Sequence, residues 1–158
     1  MIKQEAKYVT DSLVEQVHIV MPEHTNSFGR LFGGQLLAWI DVAAAVVARR
    51  HCRCYVNTVH ISDVSFKAPA DVADMIVLCG RITYIGSTSL EVRVDTYAED
   101  ISGQRQLINE AYIVMVSIGE DGRPTSAPGL ICETEQQKAD WEAGEKRYLR
   151  RKAESKRG

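Results

Sequence analysis

The chain has 158 residues, 45% of them hydrophobic and 25% charged, with a formal net charge of −2. That size and balance suit one globular domain whose core needs no disulfide or metal, and the near-neutral charge gives no global attraction to nucleic acid or membrane surfaces. No apolar run approaches the roughly 20 residues that span a bilayer, and the opening MIKQEAKYVTDS lacks the apolar stretch of a secretory signal, so the four cysteines (Cys52, Cys54, Cys79, Cys132) are expected as reduced thiols in a cytoplasm.

Along the chain, Val17, Ile19 and Met21 alternate with polar residues, which predicts a short strand over 16–21 closed by Pro22. Residues 22–32 are polar and contain glycine, and read as a loop. Gly33 to Arg50 carries Leu36, Ile40, Ala43, Ala44 and Val47 at helical spacing, with Leu37, Ala45 and Ala48 on the opposite side. A helix apolar nearly all round is buried on most sides. Arg49, Arg50 and His51 close it with positive charge, matching the negative end of the helix dipole.

The period then changes to two. Residues 55–66, 75–85, 89–98 and 106–118 read as strands. In the third, Leu90, Val92, Val94 and Thr96 face one way and Glu91, Arg93 and Asp95 the other. Turn residues link them: Pro69 and Asp71, Gly86-Ser87, Asp100 to Gly103, and Asp121-Gly122. Short connections make antiparallel neighbours, so the expected fold is α+β, a long helix packed on a curved antiparallel sheet. From about Glu133 the sequence is highly charged, and residues 146–158 hold seven Lys/Arg against one Glu. A solvated helix that frays at its end is the expectation; a basic arm touching a phosphate-bearing ligand is the rival.

Asp41 is the anomaly, a carboxylate in the middle of the most apolar helix. Burying an ionised carboxylate is costly unless hydrogen bonds or charges compensate. Either Asp41 sits at the helix edge and pairs with an arginine, or it is a functional carboxylate whose pKa burial raises. The segment Asn26-Ser27-Phe28-Gly29-Arg30-Leu31-Phe32-Gly33-Gly34 leads straight into the helix. Glycines there let a ligand approach the free N–H groups of the first turn, which can hold a carbonyl oxygen as it becomes negative. The bland alternative is that Gly33 and Gly34 merely permit a tight turn.

The run from Asn26 through Gly29, Phe32, Gly33 and Gly34 to Asp41 resembles the signature of the hotdog-fold acyl-CoA thioesterases. The resemblance spans roughly residues 15–125, within a domain set at 11–125, and leaves 126–158 as a charged, part-helical tail. It takes in Ser65-Phe66-Lys67-Ala68-Pro69 and the turn Ile85-Gly86-Ser87-Thr88-Ser89, similar to a family turn near coenzyme A. This chain has Ser87 where many relatives carry a basic residue, so the turn lacks that cation. The resemblance implies hydrolysis of acyl-CoA to free acid and coenzyme A. Asp41 would act as nucleophile or general base, Asn26 would position carbonyl or water, and Gly34 would supply the oxyanion N–H. Gly33, Phe66, Lys67, Gly86, Ser87, Thr88 and Ser89 would contact substrate. It implies no separate cofactor, because coenzyme A arrives within the substrate, and a homodimer with shared sites, assembled as a trimer of dimers.

Other signals are weaker. No G-x-S-x-G elbow, nucleotide-binding glycine motif or phosphate loop occurs. His51, Cys52, Cys54 and His60 lie within ten residues, yet the one-residue gap between the cysteines departs from zinc spacing, and no metal is expected. His24 reads as a polar loop residue rather than a base. Two rivals stay open: a hotdog hydratase or dehydratase, which would need a His–acid pair, and a non-catalytic acyl-CoA-binding protein.

Overall fold

The computed structural model describes residues 4–157. Its elements are β1 (Lys7–Tyr8), β2 (Val14–Ile19), α1 (Gly33–Cys52), β3 (Tyr55–Phe66), β4 (Met75–Ile85), β5 (Ser89–Glu99), β6 (Arg105–Ile118), β7 (Leu130–Ile131) and α2 (Glu135–Ser155). Five strands form an antiparallel sheet in the order β2-β4-β5-β6-β3, and α1 lies against it. This is the α+β arrangement that the periodicities predict. β2 begins two residues earlier than the alternation suggests, and Val20 instead bonds to Asp74 and Ala73 in the following turn.

The α1 sequence explains the close seat of the helix. Leu36, Ile40, Ala43, Ala44, Val47 and Ala48 are buried against the sheet, and each fully buried Leu, Ile or Val contributes about 1.5–3 kcal/mol. Small residues let the layers approach. A Cβ on Gly80 of β4 would stand 2.8 Å from a Val47 methyl, so only glycine fits there. The ladder slips at Thr58/His60 and Ser62/Ser65 in β3–β6 and at Ile82/Tyr84 in β4–β5. Such bulges increase twist and help the sheet curve around the helix.

The C-terminal segment departs from expectation. Most of α2 is exposed, as a solvated helix would be, but one side of it docks on the face of the sheet opposite α1. Thr134 caps it by accepting the Gln137 N–H at 3.1 Å, and Gln137 returns its side-chain oxygen to the Glu133 N–H at 2.7 Å. Trp141 and Tyr148 close on Tyr84 with ring centroids 4.4 and 5.2 Å away. Gly144 lets the helix pass directly over Tyr84 and Glu91. The polar face of β5 is therefore covered. Glu91, 1% exposed, accepts from Arg147 at 2.8 and 3.0 Å, and Arg81 bridges Asp140 and Asp95 at 2.9 and 3.0 Å. Charges that look solvent-bound in the sequence are each other's partners. Beside this layer, β1 and β7 form a small parallel pair too short for any periodicity to reveal. Among the described residues, no helix is long and apolar enough to cross a membrane.

Candidate active site

The loop before α1 is built around Asn26. Its side-chain oxygen accepts N–H bonds from Phe28 at 2.9 Å and Arg30 at 3.3 Å. Its backbone N–H donates to Arg30 at 2.8 Å, and Gly29 takes the positive φ of 71° that the turn requires. The Leu31 and Phe32 N–H groups bond to Ala70 and His24, fixing the loop to its surroundings. No side chain caps α1, and the first bond along it runs from Leu36 to Phe32. The N–H groups of Gly33, Gly34 and Gln35 thus have no partner among the described residues. The Phe32 ring lies so close over Gly34 that a Cβ there would meet it at 2.5 Å, and a side chain at 34 would have to displace the ring. A cavity of about 460 Å³ opens beside this helix start, lined by Leu31, Gly33, Leu36, Phe66, Lys67 and Pro69 among others. His24 accepts the Met21 N–H through Nδ1 at 3.0 Å and stands edge-on to Trp39. It is a structural loop residue.

Asp41 lies elsewhere. It is half-buried on the α1 flank that faces β3, and Thr58 of β3 donates its hydroxyl to Oδ1 at 2.7 Å. The burial inferred from an all-round apolar helix is corrected here, because the chain's own core does not enclose the carboxylate; the edge reading's arginine is corrected too, because the partner is a threonine. The surface around Asp41 is apolar and open: Val42 is 56% and Val59 57% exposed, and β3 pairs with no strand on its outer side among the described residues. Thr58 was not singled out in the sequence. A threonine in a strand carries no signal of its own until the helix is seen beside it.

The remaining predicted contacts separate into two groups. Phe66 and Lys67 lie by Gly33, and the Lys67 N–H bonds to Ile108. The Gly86–Ser89 turn instead meets Ser117, whose N–H and hydroxyl donate to Thr88 at 2.9 and 3.1 Å. Ile108 and Ser117 are nine residues apart on β6, about 30 Å of strand. A Cβ on Gly86 would meet the Tyr148 ring of α2 at 2.7 Å. Hydrogen bonding to Lys152, with help from Ser87, holds the Tyr148 hydroxyl below the usual phenol range. At the end of α1, the Cys52 and Cys54 sulfurs are 3.0 Å apart, and burial pushes the Cys52 thiol up to about 12. His51 bonds to the Pro128 carbonyl at 2.8 Å.

Residues 28–103 match the thioesterase superfamily. A Bacillus subtilis protein named as an uncharacterised acyl-CoA thioester hydrolase is 32% identical over 134 residues, covering 84% of this chain and 78% of that one. This chain belongs to the acyl-CoA thioester hydrolase family. The human cytosolic acyl coenzyme A thioester hydrolase is 30% identical over 155 residues, and the alignment spans 96% of this chain but 41% of that protein. In structure, this family member superposes on an apo-hexameric acyl-CoA thioesterase with a TM-score of 0.91 and 35% identity, covering 96% of this chain and 98% of that one. An acyl-CoA hydrolase from Staphylococcus aureus gives 0.89 at 29% identity, covering 98% of this chain and 97% of that one. That enzyme has been solved with alanine replacing an asparagine, an aspartate and a threonine, which lie 15 and then 17 residues apart. Asn26, Asp41 and Thr58 have the same spacing.

Proposed function

We propose that this chain hydrolyses acyl-CoA thioesters to a free acid and coenzyme A, with Asp41 as general base, Asn26 and Gly34 as the carbonyl-holding groups, and Thr58 orienting the base. The Asp41–Thr58 pair carries the reading. It is a carboxylate on an apolar helix, fixed through Oδ1 by a 2.7 Å bond and with Oδ2 unpartnered among the described residues. The free oxygen takes a proton from water, and the water oxygen bonds to the thioester carbon. Negative charge builds on the carbonyl oxygen, where helix-start N–H groups are worth most. The C–S bond then breaks, and the leaving thiolate recovers the proton from Asp41. A thiol with pKa near 8.5 leaves without strong acid assistance, which suits so small a set of groups. The Asn26 side-chain oxygen is occupied by the loop, so its Nδ2 donors are what remain for carbonyl or water.

Gly33 and Asp41 are eight positions apart on one helix, about 12 Å. They meet a single thioester only if a two-fold axis brings one protomer's Asn26–Gly34 segment to its partner's Asp41. The open apolar flank of α1 and the unpaired β3 edge supply the surface for that contact. The hexameric relatives support carrying the pairing further, into a trimer of dimers. No separate cofactor enters this chemistry, and the reading assigns the protein to the cytoplasm. Release of free thiol from acyl-CoA, followed with a thiol-reactive dye, tests the proposal. A hydratase or a binding protein releases none.

A further inference from the structure

Where α1 ends, Arg53 adopts a left-handed conformation, φ 54°, and its N–H bonds to the Arg49 carbonyl at 2.8 Å. The chain reverses there and enters β3 at Tyr55. Between helix end and strand start lies a cavity of about 500 Å³, lined by Val46, Arg49, Arg50, Arg53, Cys54 and Tyr55. Three guanidinium groups and no carboxylate line it. None of the three arginines forms a salt bridge among the described residues; Arg50 donates to the Leu13 carbonyl at 3.1 Å, and Arg49 lies over the Tyr55 ring, 5.8 Å from its centroid. Tyr55 is 75% exposed, although aromatic rings usually bury their faces. The helix dipole accounts for a cation or two at a C-terminus. It accounts for neither the concavity nor the exposed ring.

We infer that this cavity is the nucleotide subsite of the substrate: Arg49 and Arg53 hold phosphates of coenzyme A, and Tyr55 stacks on the adenine. The inference rests on the acyl-CoA reading above. Asp41, Ala45 and Arg49 fall at four-residue intervals, a spacing that forms one ridge along α1, and Arg53 is the left-handed residue just past the end of that ridge. Arg49 is eight residues beyond Asp41, about 12 Å at 1.5 Å per residue, and Arg53 lies at the helix end beyond it. The pantetheine arm has thirteen single bonds from thioester sulfur to the first phosphorus, about 16 Å when extended. A thioester seated at Asp41 therefore delivers its pyrophosphate to these arginines. Planar, fixed guanidinium groups grip phosphate oxygens in pairs, and an exposed aromatic face takes a base. The cavity also lies at the same end of the sheet as the Gly86–Ser89 turn, since Tyr55 pairs with Ile118, the residue after Ser117. Ser87 brings no cation to that turn; the arginines of α1 provide the positive charge.

The test uses the double variant Arg49→Gln/Arg53→Gln, with Lys152→Gln as comparison. Two substrates are compared: an acyl-CoA, and the matching acyl-pantetheine, which has no phosphate or base. Adenosine 3′,5′-bisphosphate binding is measured by calorimetry at low salt. Losing two charge-assisted contacts should raise KM for acyl-CoA by about tenfold or more, abolish nucleotide binding and leave acyl-pantetheine turnover at the wild-type rate. An equal loss on both substrates, nucleotide binding that survives in the double variant, nucleotide binding lost only in Lys152→Gln, or a wild type that binds no nucleotide would each overturn the assignment. If the wild type hydrolyses neither thioester, the hydrolase reading fails, and nucleotide binding that depends on the two arginines still upholds the pocket.

Discussion

The claim that each site is built from two protomers can be tested with two nearly isosteric lesions. Asn26→Asp keeps the oxygen that accepts the Phe28 and Arg30 N–H bonds, so the loop stays folded, and removes only the Nδ2 donors. Asp41→Asn keeps the bond from Thr58 and removes the base. Each homodimer should lose about 10²-fold in kcat or more, as enzymes do without a positioned proton acceptor or carbonyl donor. The eight-residue helical separation, about 12 Å, exceeds by far the roughly 3 Å contacts that one reacting carbonyl needs, so the Asn26 and Asp41 of one chain serve different sites of the dimer. When the two chains are unfolded together and refolded in equal amounts, random pairing makes about half the dimers mixed. One site of each mixed dimer carries both lesions and the other carries none. About a quarter of all sites recover, so activity should rise roughly 25-fold above either parent. Assembly of dimers into larger rings leaves that fraction unchanged. Native mass spectrometry checks that mixed dimers form. Mixed dimers without recovered activity would place Asn26 and Asp41 in the same protomer's site and refute the shared-site geometry.

Three further outcomes follow from named contacts. Thr58→Val removes the hydroxyl that fixes Asp41, so kcat should fall about tenfold or more while the melting temperature barely moves, because the pair is only half-buried. Arg147→Met leaves the buried Glu91 carboxylate with the Thr83 hydroxyl at 2.6 Å and only a longer 3.7 Å contact to a cation, Arg151, and should cost about 3 kcal/mol of stability in denaturant titration; Glu91→Gln added to it should return much of that loss. Burial holds His51 below histidine's ordinary 6.5, so the folded state resists protonation there. The stability it contributes is present above that value and is lost as pH falls below it; melting temperatures between about pH 5 and 8 should drop on the acid side, and His51→Gln should flatten that slope.

Periodicity alone located α1 and the four long strands within a residue or two, because each strand alternates between a buried and a covered or open face and α1 is apolar throughout. It also flagged Asp41 and the Asn26–Gly34 loop. Two things were hidden for physical reasons. The docking of α2 depends on charge pairs between segments about 60 residues apart, such as Arg81–Asp140 and Glu91–Arg147, and a charged stretch looks the same whether water or another charge receives it. The setting of Asp41 was misjudged because an apolar helix face is equally suited to its own core or to another protomer, and one chain's pattern does not separate the two. The Thr134–Gln137 cap was legible in principle, since threonine followed three residues later by glutamine marks a helix start.

The Gly80–Val47 approach has a consequence for the acyl chain. With Gly80 so close to Val47 that even an added Cβ would stand 2.8 Å from its methyl, and alanines at 43, 44 and 48 wholly buried, the layer between the middle of the helix and the sheet is filled. An interior packed to that density has no tunnel for a fatty tail. The apolar space left beside the site is the cavity at Gly33 and, in the proposed dimer, the surface that Ala38, Val42 and Val59 leave bare beside Asp41. In the proposed dimer the ruler for chain length is then cut into the seam between subunits, and substitutions there should change which acids are released without disturbing the stability of a single chain.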